Sequence, residues 1–146
     1  MPPIAFCVDN RKLNQVTKFQ VEMLPGPENI FACISKANYF SKLDLCKGYW
    51  QILARKEDRA KLAFATPDGT YQWLVMPFGV QNAPSVFTRM MRKLFEPLRD
   101  KGVHNLIDDL LLATEKWGEH LTQLPDVLER LRQAEFTASP SKCHLG

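Results

Sequence analysis

The segment "NLIDDLLLAT" at 105–114 sets two adjacent carboxylates, Asp108 and Asp109, inside an otherwise apolar run. Aspartate is a poor strand residue, and a carboxylate taken out of water without a partner costs several kcal/mol or loses its charge. Leu106–Ile107 and Leu110–Leu112 suit two strand arms, and a tight turn between them would lift both acids to the tip of a hairpin. Asp is common in turns, so a plain turn is the bland alternative. A second acid in the same setting weighs against it: Asp44 in "FSKLDLCKGYW" again stands between apolar strand residues. If the two strands are neighbours, Asp44 and Asp108 converge. Clustered carboxylates repel unless something neutralises them, and a hard divalent cation such as Mg²⁺ does so with oxygen ligands. Two such ions roughly 3.5–4 Å apart can run phosphoryl transfer.

The remaining elements follow from periodicity. Little regular structure is expected before Phe31 beyond a strand at Ala5–Val8, and "MLPGPENI" reads as a turn-rich connection. A strand is expected at Leu43–Leu45, then a turn or short helix near Lys47–Gly48. "KLAFATPDGTYQWLV", 61–75, reads as a hairpin with Pro67–Asp68–Gly69 as its turn. A helix over 82–100 would be capped by Asn82, carry Pro84 in its first turn, and present Phe87, Met90, Met91, Leu94 and Leu98 on one apolar face. A second helix over 119–134 would bury Leu121, Leu124, Leu128 and Leu131, and Pro125 inside it predicts a bend or a late start. "EFTAS" suggests a final short strand. This order implies an α+β fold, with helices on one face of a mostly antiparallel sheet.

The chain has 146 residues, 45% hydrophobic and 24% charged, as in one soluble globular domain. No apolar stretch approaches the ~20 residues of a membrane span, and the N-terminus lacks a signal-peptide pattern. The net charge of +3 permits a nucleic-acid partner without arguing for one. The four cysteines form no C-x-x-C and no zinc spacing with the histidines, and Cys143–His144 is a lone pair. Free thiols without a secretory signal suggest an intracellular, cytoplasmic setting.

"YFSKLDLCKGYWQI", "KLAFATPDGTYQW", "VMPFGVQNAPSVFTRMM", "LIDDLLLAT", "EHLTQLPDVLERL" and "SKCHLG" stand in the order seen in reverse transcriptases of gypsy-type LTR retrotransposons, and "FCVDNRKLNQVT" resembles a preceding fingers segment. The resemblance spans about residues 5–146. It implies a polymerase palm of antiparallel strands backed by two helices, with partial fingers and no thumb: fingers over 1–38, palm over 39–51 and 78–146, and a fingers hairpin inserted at 52–77. It implies RNA-directed DNA synthesis with Mg²⁺ or Mn²⁺ on Asp44, Asp108 and Asp109. Nucleotide contacts would come from Leu45, Tyr49, Phe78, Gly79 and Lys142, with Tyr49 blocking a ribose 2′-hydroxyl. Arg11, Asn14, Gln81, Asn82 and Pro84 would hold the fingers loop and template. The partners implied are an RNA or DNA template with primer, a deoxynucleoside triphosphate, and the remaining polyprotein domains (thumb, connection, RNase H, integrase), with no membrane.

The match departs in places. Leu106 stands where the family carries Tyr or Phe, and Ala5 where it carries an arginine that grips the triphosphate. The chain stops at Gly146 without the thumb, so weak activity, or none, is expected of it in isolation. The rivals are a non-catalytic, degenerate retroelement remnant that binds nucleic acid or a protein partner, and a piece of a polyprotein known for RNase H activity.

Overall fold

The computed structural model describes residues 7–22, 31, 34–106 and 109–146. Among these, the central element is a three-stranded antiparallel sheet in the order β1–β5–β4: β1 is Tyr39–Asp44, β4 Val103–Leu106 and β5 Asp109–Thr114. A separate hairpin, β2 (Ala63–Thr66) and β3 (Gly69–Gln72), pairs Ala63 with Gln72 and Thr66 with Gly69, as the Pro-Asp-Gly turn predicts. A bridge between Leu53 and Val75 joins the two chain segments at its base.

Alternation along the strands sets the layers, because successive residues point to opposite faces. Ser41 and Leu43 of β1, and Leu110 and Leu112 of β5, are buried on one face. A single-turn helix, α2 (Lys56–Arg59), leads into the β2–β3 hairpin. Two longer helices cover the buried face of the sheet, α3 (Ala83–Phe95) and α4 (Trp117–Gln133), through Phe87, Met91 and Phe95 from α3 and Val127 and Leu131 from α4. The other face carries Lys42, Asp44 and Asp109 and stays open. The architecture is α+β, as the sequence implies.

Several expectations need correction. A short helix, α1 (Arg11–Val16), stands where little regular structure was expected; none of its residues is buried, so periodicity gave no sign of it. The expected strand at Ala5–Val8 falls partly outside the described residues, and Cys7 and Val8 belong to no element. Asn82 stands at the N-cap of α3 as expected, and its carbonyl accepts from the Val86 amide at 2.9 Å, but its side chain makes no cap bond. Its Nδ2 donates to the Lys18 carbonyl and its Oδ1 accepts from the Gln20 amide, so the side chain is spent on the N-terminal segment. After Phe95 the chain tightens into a 3₁₀ helix, Glu96–Lys101, beginning just before Pro97.

α4 starts earlier than expected and runs through Pro125. Its buried residues are His120, Val127 and Leu131, with Leu124 half-buried, while Leu121 and Leu128 are exposed. Leu124 and Leu131 thus face inward as expected, while His120 and Val127 take the places expected of Leu121 and Leu128. "EFTAS" forms no strand, but Ala138 bridges Leu45, and Ser139 donates its amide to the Asp44 carbonyl at 2.8 Å.

Candidate active site

β1 and β5 end on a charged pair. In their antiparallel register Asp44 stands directly opposite Asp109, and Asp109 also pairs with Leu106 of β4. Residues directly opposite point to the same face, and like charges there repel. Two lysines offset that repulsion. Lys42 Nζ donates to Asp109 Oδ2 at 2.8 Å, and Lys142 Nζ lies 3.8 Å from Asp44 Oδ1. The bond to Asp109 and that carboxylate's charge, with Asp44 adding less, hold the Lys42 ammonium above the usual lysine pKa. Asp109 is thus the first residue of β5 rather than the tip of a hairpin. The strand pairing that continues to it through Leu106 accounts for the difference. Asp108, the predicted partner of Asp44, lies outside the described residues.

A second group is built around 78–82. Asn10 Nδ2 donates to the Phe78 carbonyl at 3.1 Å, Asn14 Nδ2 to the Gly79 carbonyl at 2.8 Å, and Asn14 Oδ1 accepts from the Gln81 amide at 2.9 Å. α1 therefore staples this loop to the body through amide side chains. Gly79 has φ +85°, a conformation that glycine adopts without the steric cost other residues meet. Next to the loop, the half-buried Tyr49 ring lies 5.3 Å from Phe78 and 5.6 Å from the buried Phe87. Tyr49 so joins the core to an exposed aromatic at the surface.

The other predicted residues fall as follows. Leu45 is a core residue, 3% exposed, so its side chain is not available to a nucleotide. Arg11 is exposed and paired with Asp9 at 2.6 Å, an interaction that lowers the Asp9 carboxyl to about 2. Pro84 is exposed in the first turn of α3. The sequence reading missed Lys42 and Asn10. No local pattern marks either one, because each acts through a partner distant in the sequence.

Residues 2–146 match the family model described as reverse transcriptase (RNA-dependent DNA polymerase). The chain belongs to the reverse transcriptase family. It is 35% identical over 136 residues to the retrovirus-related Pol polyprotein from transposon 297 of Drosophila melanogaster, covering 93% of this chain and 13% of that protein. It is also 35% identical to the transposon Tf2-3 polyprotein of Schizosaccharomyces pombe, covering 93% of this chain and 10% of that one. Among solved structures, the native prototype foamy virus protease-reverse transcriptase superposes with a TM-score of 0.83 at 28% identity, over 94% of this chain and 18% of that chain. The foamy viral enzyme in complex with an RNA/DNA hybrid gives 0.84 at 26%, with the same coverage. This reverse transcriptase domain thus spans a small part of each relative. The sheet and its two covering helices are the expected palm-like fold, and the family model matched is that of a reverse transcriptase, which does not favour the RNase H reading.

The donor chemistry of the palm suits a hard cation. Asp44 and Asp109 offer oxygen ligands only, and each has a lysine as counter-ion. Among the described residues no group of three or more His, Cys, Asp or Glu side chains is gathered, so the described site amounts to these two carboxylates. The family implies dependence on a divalent metal.

Proposed function

We propose that this chain carries the nucleotidyl-transfer centre of an RNA-directed DNA polymerase from a gypsy-type retrotransposon. The observation that carries the reading is the Asp44–Asp109 pair, set in register at the ends of adjacent strands on the open face of the sheet. Asp44 and Asp108 would hold Mg²⁺ or Mn²⁺, with Asp109 beside them. When bound, such ions lower the pKa of an attacking hydroxyl and neutralise charge on a leaving pyrophosphate. The chain's own residues prepare the place. The carboxylates draw cations to the mouth of the sheet, and Lys142, poised beside Asp44, would meet the triphosphate. Tyr49, backed by Phe87, would present a rigid ring to the sugar. Phe78 and Gly79, held by Asn10 and Asn14, would let the backbone approach the nucleotide and template. Arg11, Gln81, Asn82 and Pro84 would complete the template side, within fingers over 1–38 and 52–77.

The remaining polyprotein domains would supply the grip on the duplex, and the setting would be intracellular. Phosphate contacts would dominate binding of template and primer, so affinity should fall as salt rises. The reading is tested by primer extension on an RNA template with Mg²⁺ or Mn²⁺, comparing the chain with Asp44→Asn. Incorporation that Asp44→Asn abolishes supports it; equal incorporation by both removes it.

A further inference from the structure

We propose that Lys42 is a built-in counter-ion of the palm, a positioning residue that holds Asp109 and competes with the divalent cation for it. The inference rests on the metal-site reading above and adds a residue that reading does not use. Three observations carry it. Asp44 and Asp109 face each other in register, so the metal-free site holds two like charges side by side. Lys42 stands two positions before Asp44 on β1, hence on the same open face, and reaches diagonally across to β5. Its ammonium bonds Asp109 Oδ2 at 2.8 Å, whereas Lys142 stays 3.8 Å from Asp44.

The two pairs are unequal. Asp109 has one oxygen engaged by a direct, charge-assisted hydrogen bond, while among the described residues the cation nearest Asp44 is Lys142, a loose neighbour at 3.8 Å. Asp44 is therefore the readier ligand, and Asp109 is held in orientation. A cation taking Asp109 must displace or sit beside a unit positive charge. Half-exposed ion pairs contribute little to folding, so the effect of Lys42 belongs in ion affinity rather than in stability.

Mn²⁺ binding, measured by calorimetry on the intact chain, tests the proposal. Lys42→Met keeps most of the aliphatic stem and removes the charge. It should bind Mn²⁺ about tenfold more tightly than the unmodified chain, the scale of repulsion between a divalent ion and a unit charge a few ångströms away in a watery site. Lys42→Arg should restore the original affinity, and Asp44→Asn should abolish binding. Unchanged or weaker binding by a folded Lys42→Met would overturn the inference while leaving the metal site standing. If the unmodified chain takes up no Mn²⁺, or Asp44→Asn binds it equally well, the metal-site reading itself fails and this inference with it. A measurement without substitution covers the case in which the variants do not fold. Mg²⁺ titration should shift the side-chain ¹⁵N resonance of Lys42 as its bond to Asp109 is released; a resonance that does not move overturns the proposal.

Discussion

Ser41 of β1 and His120 of α4 share a 2.7 Å hydrogen bond in the interior, and His120 Nδ1 lies 2.8 Å from Thr114 Oγ1 of β5. The surrounding partners assign the protons. The Gly146 amide donates to Ser41 Oγ, so the Ser41 hydroxyl is free to donate to Nε2. The Thr114 hydroxyl faces the Lys116 carbonyl at 3.4 Å, so Thr114 Oγ1 accepts from Nδ1–H. The imidazole is neutral, and one side chain ties two strands to the helix that covers them. Burial pushes its pKa below the ordinary value of 6.5. The unfolded chain then binds the proton more readily than the folded one, so stability from this group is fully present above about pH 6.5 and declines as pH falls toward the folded pKa. Urea unfolding at pH 7.5 and pH 5.5 should show that decline, and His120→Gln should flatten it. His120→Ala leaves two hydroxyls without their partner and a cavity, and should cost about 2–4 kcal/mol.

The Asn14 staple predicts a local effect. Removing its side chain in Asn14→Ala frees the Gly79 carbonyl and the Gln81 amide together. Both lie near the surface, where water replaces part of what is lost, so global stability should fall by about 1 kcal/mol. Amide exchange at Gln81 should accelerate while amides of β5 keep their protection. Unchanged exchange at Gln81 would show that Asn10 and Asn82 suffice to hold the loop.

Gly102 turns the chain into β4 with φ +83°, and a Cβ built there would sit 2.0 Å from the Ala113 carbonyl oxygen. The obstacle is the neighbouring strand's backbone, which cannot swing aside as a flexible side chain does. Gly102→Ala should therefore cost about 3 kcal/mol or more, combining left-handed strain with a steric clash at the sheet edge. A urea midpoint within error of the unmodified chain would contradict this placement.

The legible parts were those whose cause is local. The 63–72 hairpin follows from a turn sequence between β-rich arms, and α3 from Phe87, Met91 and their neighbours at helical spacing. Asp44 and Asp109 stood out because an acid in an apolar strand needs a reason, and their register confirms that the two strands are neighbours. What stayed hidden depends on partners far along the chain. α1 buries no residue and is held to the loop by Asn10 and Asn14. Lys42 looked like any surface lysine. His120 counts as polar in a periodicity reading, yet it is 1% exposed because Ser41 and Thr114 satisfy both ring nitrogens.

That buried histidine also marks the inward face of α4, which supplies a paired test. Leucines occur on both sides of this helix, so counting them cannot choose between stripes. Leu131 is 3% exposed and Leu128 43%. Leu131→Ala should cost about 2–4 kcal/mol, whereas Leu128→Gln should stay within about 0.5 kcal/mol. Equal losses would restore the leucine stripe that the sequence suggested.

Pro125 lies inside α4, where it supplies no amide for the Leu121 carbonyl one turn earlier. The helix continues past it because both residues are exposed, so water can reach the turn, and because His120, Val127 and Leu131 anchor the buried side around it. The interior penalty of proline relative to alanine is about 3 kcal/mol when nothing compensates. With solvent at the orphaned carbonyl and packing already in place, Pro125→Ala should recover a smaller amount, about 1–2 kcal/mol, by restoring one backbone bond. The gain should appear as a higher urea midpoint with an unchanged slope, since the surface exposed on unfolding stays the same. A lower midpoint would mean that the proline helps seat the helix on the sheet and keeps His120 on Ser41 and Thr114.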